Sequence, residues 1–134
     1  MSAASDQLEV DLLNAVLNNA SGVWIGLSTA DPLDTGLGLA EPAGGSYARV
    51  QVVSGFTVTS GATTTSGVNS AAVVFPTPTA SWGTISHFAI CSGVSGANVR
   101  LRGAVTVSGV ATPQSVPSGV IVKFLSGTLV VTCA

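Results

Sequence analysis

The sequence predicts a mainly β fold: an antiparallel β-sandwich of the jelly-roll type, with one short N-terminal α-helix, in a single domain over residues 1–134. Three observations carry that prediction. Charged residues make up 7% of the chain, against about a quarter in an ordinary soluble domain. Gly, Ser, Thr, Ala and Val fill the gap, and low charge with many β-branched residues favours strands over disorder. A helical period appears once, near the N-terminus, and after Gly22 the chain reads as short alternating runs between Gly, Pro and Asp turns.

The helix is expected over residues 5–19. Ser5 is placed to cap it, and Asp6 and Glu9 lie in the first turn, where the helix dipole favours negative charge. Leu8, Leu12, Leu13, Val16 and Leu17 recur at three- and four-residue spacings as one apolar stripe that must dock on something. Asn18 and Asn19 end it. Strands are then expected at 23–29, 46–54, 56–60, 69–75, 84–92 and 98–108, with two more around Ser126-Gly127. Residues 30–45 form a Pro/Gly/Asp loop, and residues 61–68 read as a Gly/Thr/Ser turn. Pro76 and Pro78 exclude a central strand there and mark an extended connector.

The charges are unevenly spread. All six acidic residues lie at or before Glu41, and all four basic ones (Arg49, Arg100, Arg102, Lys123) lie after it. Four scattered cations make no nucleic-acid footprint. The helix carries acids on its polar face and no apolar run approaches the roughly 20 residues that span a bilayer, so neither nucleic acid nor membrane is an expected partner. A surface so poor in charge fits a subunit covered by neighbours. Complementary patches from Asp6, Glu9 and Asp11 on one copy and Arg49, Arg100 and Arg102 on another are the candidate interface, in a homo-oligomer, a trimer before a dimer.

The stretch "ASWGTISHFAICS" (residues 80–92) holds the chain's one histidine beside Ser86 and Cys91. Along a continuous strand Cys91 would share the His87 face but lie about 13 Å away, and Ser86 would point to the opposite face. No G-x-S-x-G elbow and no metal-ligand spacing accompany them. Asp31 and Asp34 fit turn chemistry, since Asp caps its own backbone. The Gly-rich loop lacks the Lys-Ser/Thr of a phosphate loop. No catalytic residue, cofactor or metal is therefore expected. Cys91 and Cys133 read as free thiols, with a bridge between them left open.

The segments "STADPLDTG…GGSYARV", "VVFPTPTASWGTISHFAI" and "GANVRLRGAV" occur in an order that resembles a family of small phage virion proteins, tail-fibre proteins among them. The likeness runs from the Leu-rich helix to the terminal "GTLVVT" strand. It departs from the family pattern at Cys91-Ser92, where an acidic or aromatic pair is usual, and at Arg100 and Arg102, where apolar residues are usual. The resemblance implies a non-enzymatic structural protein of the phage particle, made in the bacterial host cytoplasm. The expected role is capsid decoration, cementing the outer surface of the head by binding the major capsid protein. A tail fibre or baseplate component, and a receptor- or carbohydrate-binding module, are the alternatives. On this reading Trp82 covers one end of the fold with its indole N–H on a backbone acceptor, Gly83 turns the chain into the strand, and Phe88 fills the core.

Overall fold

A computed structural model describes residues 5–61, 63–107 and 109–133, the side chain of Cys133 lying outside the described residues. The protein is mainly antiparallel β, with one helix, α1 (Asp6–Leu17), at its N-terminal end. The strands follow as β1 (Val23–Ser28), β2 (Val50–Val52), β3 (Phe56–Ser60), β4 (Thr65–Asn69), β5 (Val73–Val74), β6 (Gly83–Ile85) and β7 (His87–Cys91). They continue as β8 (Val99–Ala104), β9 (Thr106–Val107), β10 (Val110–Ala111), β11 (Gln114–Val116), β12 (Lys123–Phe124) and β13 (Val130–Cys133). These form sheets in the orders β2-β1-β7-β8, β13-β4-β3, β6-β11, β9-β10 and β5-β12. Two compact units share them: one holds the described residues up to Val23, Val52–Val73 and those from Phe124, the other Trp24–Gln51 and Val74–Lys123.

In the first unit α1 lies on the β13-β4-β3 sheet. The Ser5 hydroxyl caps it, accepting from the Leu8 N–H at 3.2 Å. The face it buries is Glu9, Leu13 and Leu17, while Leu8 and Leu12 stay about half exposed. The docked stripe is therefore turned away from the one the leucines alone define, because Glu9 is drawn in by the Thr65 hydroxyl, 2.9 Å from its carboxylate. The sequence reads all of β4 but Asn69 as turn. β4 is instead the central strand, and its small residues are the reason. A Cβ on Gly67 would lie 2.6 Å from Leu17 Cδ1, so the glycine lets the helix approach. Two asparagines stand in for missing strand partners. Asn18 both donates to and accepts from the Phe56 backbone, and the almost fully buried Asn69 bonds the backbone of Ala71, Leu125 and Leu129.

In the second unit β7 is the central strand, between β1 and β8. The alternation expected for residues 84–92 breaks at Ser86, where the chain leaves one sheet for another: β6 pairs with β11, and β7 with β1 and β8. Ser86 donates its N–H to Ser28 and accepts from Val105, which pins the switch point. Both faces of β7 are covered, since Phe88 and Ile90 on one side and Ala89 and Cys91 on the other are all buried. Phe88 lies opposite Gly103 in register, and a Cβ there would sit 2.7 Å from its ring. Gly103→Ala is thus expected to lower stability by about 1–3 kcal/mol, the range for overpacking. Denaturant melts measure it, and an unchanged midpoint would show that the ring moves aside freely.

Candidate interaction surface

The sheet face formed by Gly26 on β1 and Ala89 on β7, paired in register, is covered by residues 41–49 of the preceding loop. Small residues make this possible. A Cβ on Gly26 would lie 2.9 Å from Glu41 Oε1 and 3.3 Å from the Tyr47 hydroxyl. Into that space comes Arg49, its side chain 1% exposed. Its Nε and Nη2 donate to the two Glu41 oxygens at 2.7 and 2.8 Å, a bidentate pair. Nη1 donates to the Gly93 carbonyl at 2.8 Å and to Asn98 Oδ1 at 3.0 Å, and Nη2 also to the Gly96 carbonyl at 2.5 Å. Every N–H of the guanidinium has an acceptor, which is the condition for burying such a group.

Tyr47 ties this pair to the sheet. Its hydroxyl accepts from the Leu27 N–H at 2.9 Å and donates to Glu41 Oε1 at 2.7 Å. Burial, opposed by the Leu27 bond, pushes that hydroxyl far above its ordinary value and keeps it a neutral donor. The bond to Glu41 raises Arg49 further, fixing its charge. Trp82 meets Tyr47 edge to face at 5.2 Å and donates its indole N–H to the Gly45 carbonyl at 2.9 Å. Gly45 has φ +60°, and a Cβ on it would press on the indole at 3.0 Å. Cys91 is a free, buried thiol, which burial raises and Arg49 partly lowers. A thiol kept protonated is a poor nucleophile.

A second charged group is exposed. Arg102 donates to Asp31 Oδ1 at 2.9 Å and to Asp34 Oδ1 at 2.6 Å. The Asp31 carboxylate also accepts from the Leu33 N–H at 2.9 Å, the self-capping turn its sequence implies. That bond, then Arg102 and His87, hold it below the ordinary carboxylate value. A carboxyl lowered on folding stabilises above its unfolded value and loses that effect as pH falls through the folded one, so this latch loosens only in acid.

His87 Nδ1 is 2.8 Å from Ser86 Oγ, and its Nε2 is 4.0 Å from Asp31 Oδ2. Ser86 therefore does not point away from His87, as regular alternation would require, because it is the residue at which the strand switches sheets. Three residue types of a hydrolytic triad thus lie together, and geometry decides what they do. At 4.0 Å the histidine and carboxylate make no hydrogen bond. Asp31 is already held by Arg102 and Leu33, and the Ser86 N–H is engaged by Ser28, so it offers no oxyanion donor. His87 is thus held between the Ser86 hydroxyl and the Asp31 carboxylate.

The residues expected at an interface are dispersed. Asp6 and Asp11 are exposed on α1, where Asp11 accepts from Gln7. Glu9 and Arg49 are buried, and Arg102 is paired within the chain. Arg100 is exposed and, among the described residues, makes no ion pair or side-chain hydrogen bond. Trp82 and Phe88 are buried, and Gly83 adopts φ +80° at the start of β6. Sequence reasoning passed over Glu41, Tyr47 and Asn98. The available signal was a lone acid and a lone base flanking Gly44-Gly45 and a tyrosine in a chain otherwise almost free of charge.

A family model, podophage GP4 fiber I protein gp80, matches residues 3–132, and the chain belongs to that family. It is a bacteriophage structural protein. No curated protein matches the chain.

Proposed function

We propose that the chain is a non-enzymatic subunit of the virion, built into a fibre and acting through protein–protein contacts. One observation carries this reading: the segments by which the chain resembles phage virion proteins are occupied in holding the fold together. In "GGSYAR" Gly45 accepts from Trp82, Tyr47 bridges Leu27 and Glu41, and Arg49 closes the buried pair. In "WGTISHF" Trp82 caps that network and Phe88 fills the core. Side chains so engaged are spent on internal contacts, which supports a structural role. The family's fibre description supports a place in a fibre over one on the head. Seating on the outer head surface against the major capsid protein is the second reading, favoured by the lack of internal repeats or a coiled-coil heptad in the sequence. In either place a homotrimer would match the threefold symmetry common in virions.

Dissociated virions, with heads and tails separated by sedimentation, test the assignment. The chain is expected with the tail and its appendages, and recovery with emptied heads would hand the case to decoration. In the same proposal His87→Ala leaves infectivity and particle assembly unchanged, because no reaction depends on it. Assembled but non-infective particles carrying that substitution would contradict the non-enzymatic reading.

A further inference from the structure

The charges of the chain divide between its two compact units. The unit that holds α1 carries Asp6, Glu9 and Asp11 with no Lys or Arg, a formal charge of −3. The other carries Asp31, Asp34 and Glu41 against Arg49, Arg100, Arg102 and Lys123, a formal charge of +1, and together they make the −2 of the chain. In that second unit Arg49 is spent on Glu41. Arg102 with Asp31 and Asp34 leaves one carboxylate in excess, and Arg100, which lines the same pocket as Asp34, offsets it. Lys123 is the positive charge that remains.

Each unit exposes apolar side chains beside its surplus charge. On α1, Leu8, Asp11, Leu12 and Ala15 recur at three- and four-residue spacings, so they share one face, and all four are exposed. Leu8 and Leu12 are 47% and 50% exposed, while the helix docks within its own unit through Leu13 and Leu17. A helix with one partner carries polar residues on its far side, and this one carries a second apolar stripe. Asp11 has no cation partner among the described residues. In the other unit the Phe75 N–H donates to the Val122 carbonyl, and Ile121 and Lys123 on either side of Val122 are exposed. Val74 is 51% exposed between the buried Val73 and Phe75, so on the paired strand it faces outward too.

From these features we infer that copies of the chain join head to tail: the Leu8/Leu12/Ala15 face of α1 on one copy seats on Val74 and Ile121 of the next, and Asp11 meets Lys123. Leu8 and Leu12 lie about 6 Å apart along the helix, and Ile121 and Lys123 about 7 Å apart along the chain, so the two rows match in spacing. The occupant is a second copy because both complementary halves belong to this one sequence. Packing α1 on α1 would set acid against acid, and packing the Lys123 patch on itself would set lysine against lysine. Crossing the two patches pairs opposite charges. A head-to-tail contact whose rotation closes gives a ring, and the homotrimer proposed above is its threefold case.

Resting on the reading of the chain as an assembled subunit, the contact is tested on the isolated chain by sedimentation velocity and by photo-cross-linking from p-benzoylphenylalanine in place of Leu12. The expected results are a concentration-dependent oligomer and a cross-link to the segment around Ile121 of another copy. Asp11→Lys and Lys123→Glu should each weaken association about three- to tenfold. Both in one chain should restore it to within about twofold of the parent, since the pair is then reversed and not broken. Leu12→Glu should leave a monomer with unchanged circular dichroism, because Leu12 is half exposed and the fold does not depend on it. A parent chain that stays monomeric at every concentration, a cross-link confined to α1 of the other copy, or a double variant no better than the singles overturns the inference and leaves the virion assignment standing. A chain that assembles through these faces yet is absent from dissociated virions overturns the virion assignment instead.

Discussion

Arg49→Ala is expected to destabilise the protein by about 3–5 kcal/mol, the cost of breaking a buried ion pair by removing one partner. The guanidinium meets Glu41 with two bonds and reaches the backbone of Gly93 and Gly96 and the Asn98 amide, so its loss takes a donor from five acceptors, of which Glu41 Oε1 alone keeps another, the Tyr47 hydroxyl. Glu41 keeps a side-chain exposure of 22%, so water can rehydrate part of the carboxylate but not the cavity beneath it. Arg49→Lys should lie between parent and alanine, because an ammonium keeps the charge and loses the planar fork. Glu41→Gln combined with Arg49→Met should lose less than Arg49→Ala alone, since no charge is left buried without a partner. Urea melts of the four proteins measure the series. A loss under about 1 kcal/mol for Arg49→Ala would mean that the pair contributes as little as an exposed one.

Trp82→Ala is expected to cost a similar amount, about 3–5 kcal/mol, the range for deleting a large buried aromatic side chain. Trp82 is 3% exposed and packs edge to face on Tyr47, so its removal opens a cavity and unseats the tyrosine that orients Glu41. The Gly45 carbonyl also loses its donor. Trp82→Phe keeps most of the volume and loses the indole bond, so it should recover more than half of the deficit. Because Trp82 and Arg49 act through one network, the double alanine variant should lose less than the sum of the singles. Additive losses would show two independent supports.

Much of this architecture was legible beforehand. Ser5, the acids after it and the leucine spacing placed α1, and the alternation of β-branched residues placed β1, β3, β7 and β8. The misreadings share one physical cause: contacts that outweigh local pattern. β4 looks like a turn because its Thr-Ser-Gly composition is set by the helix above it and not by strand propensity. Tyr47 and Arg49 alternate as a surface strand would, yet the empty space over Gly26 and Ala89 draws both inward. Ser86 breaks the alternation because a strand changes sheets there. The uneven charge along the sequence reads naturally as a meeting between subunits. Within the fold, Glu41 meets Arg49 and the Asp31/Asp34 pair meets Arg102, while among the described residues Arg100 and Lys123 make no ion pair.

In the function proposed above, the chain serves the phage as a built-in part of a fibre. A cryo-EM difference map between parent virions and virions made without the chain tests it most directly. The expected result is missing density confined to a fibre, restored by His87→Ala protein and not by a variant that fails to fold. Density lost from the outer head surface, or particles identical with and without the chain, would contradict it.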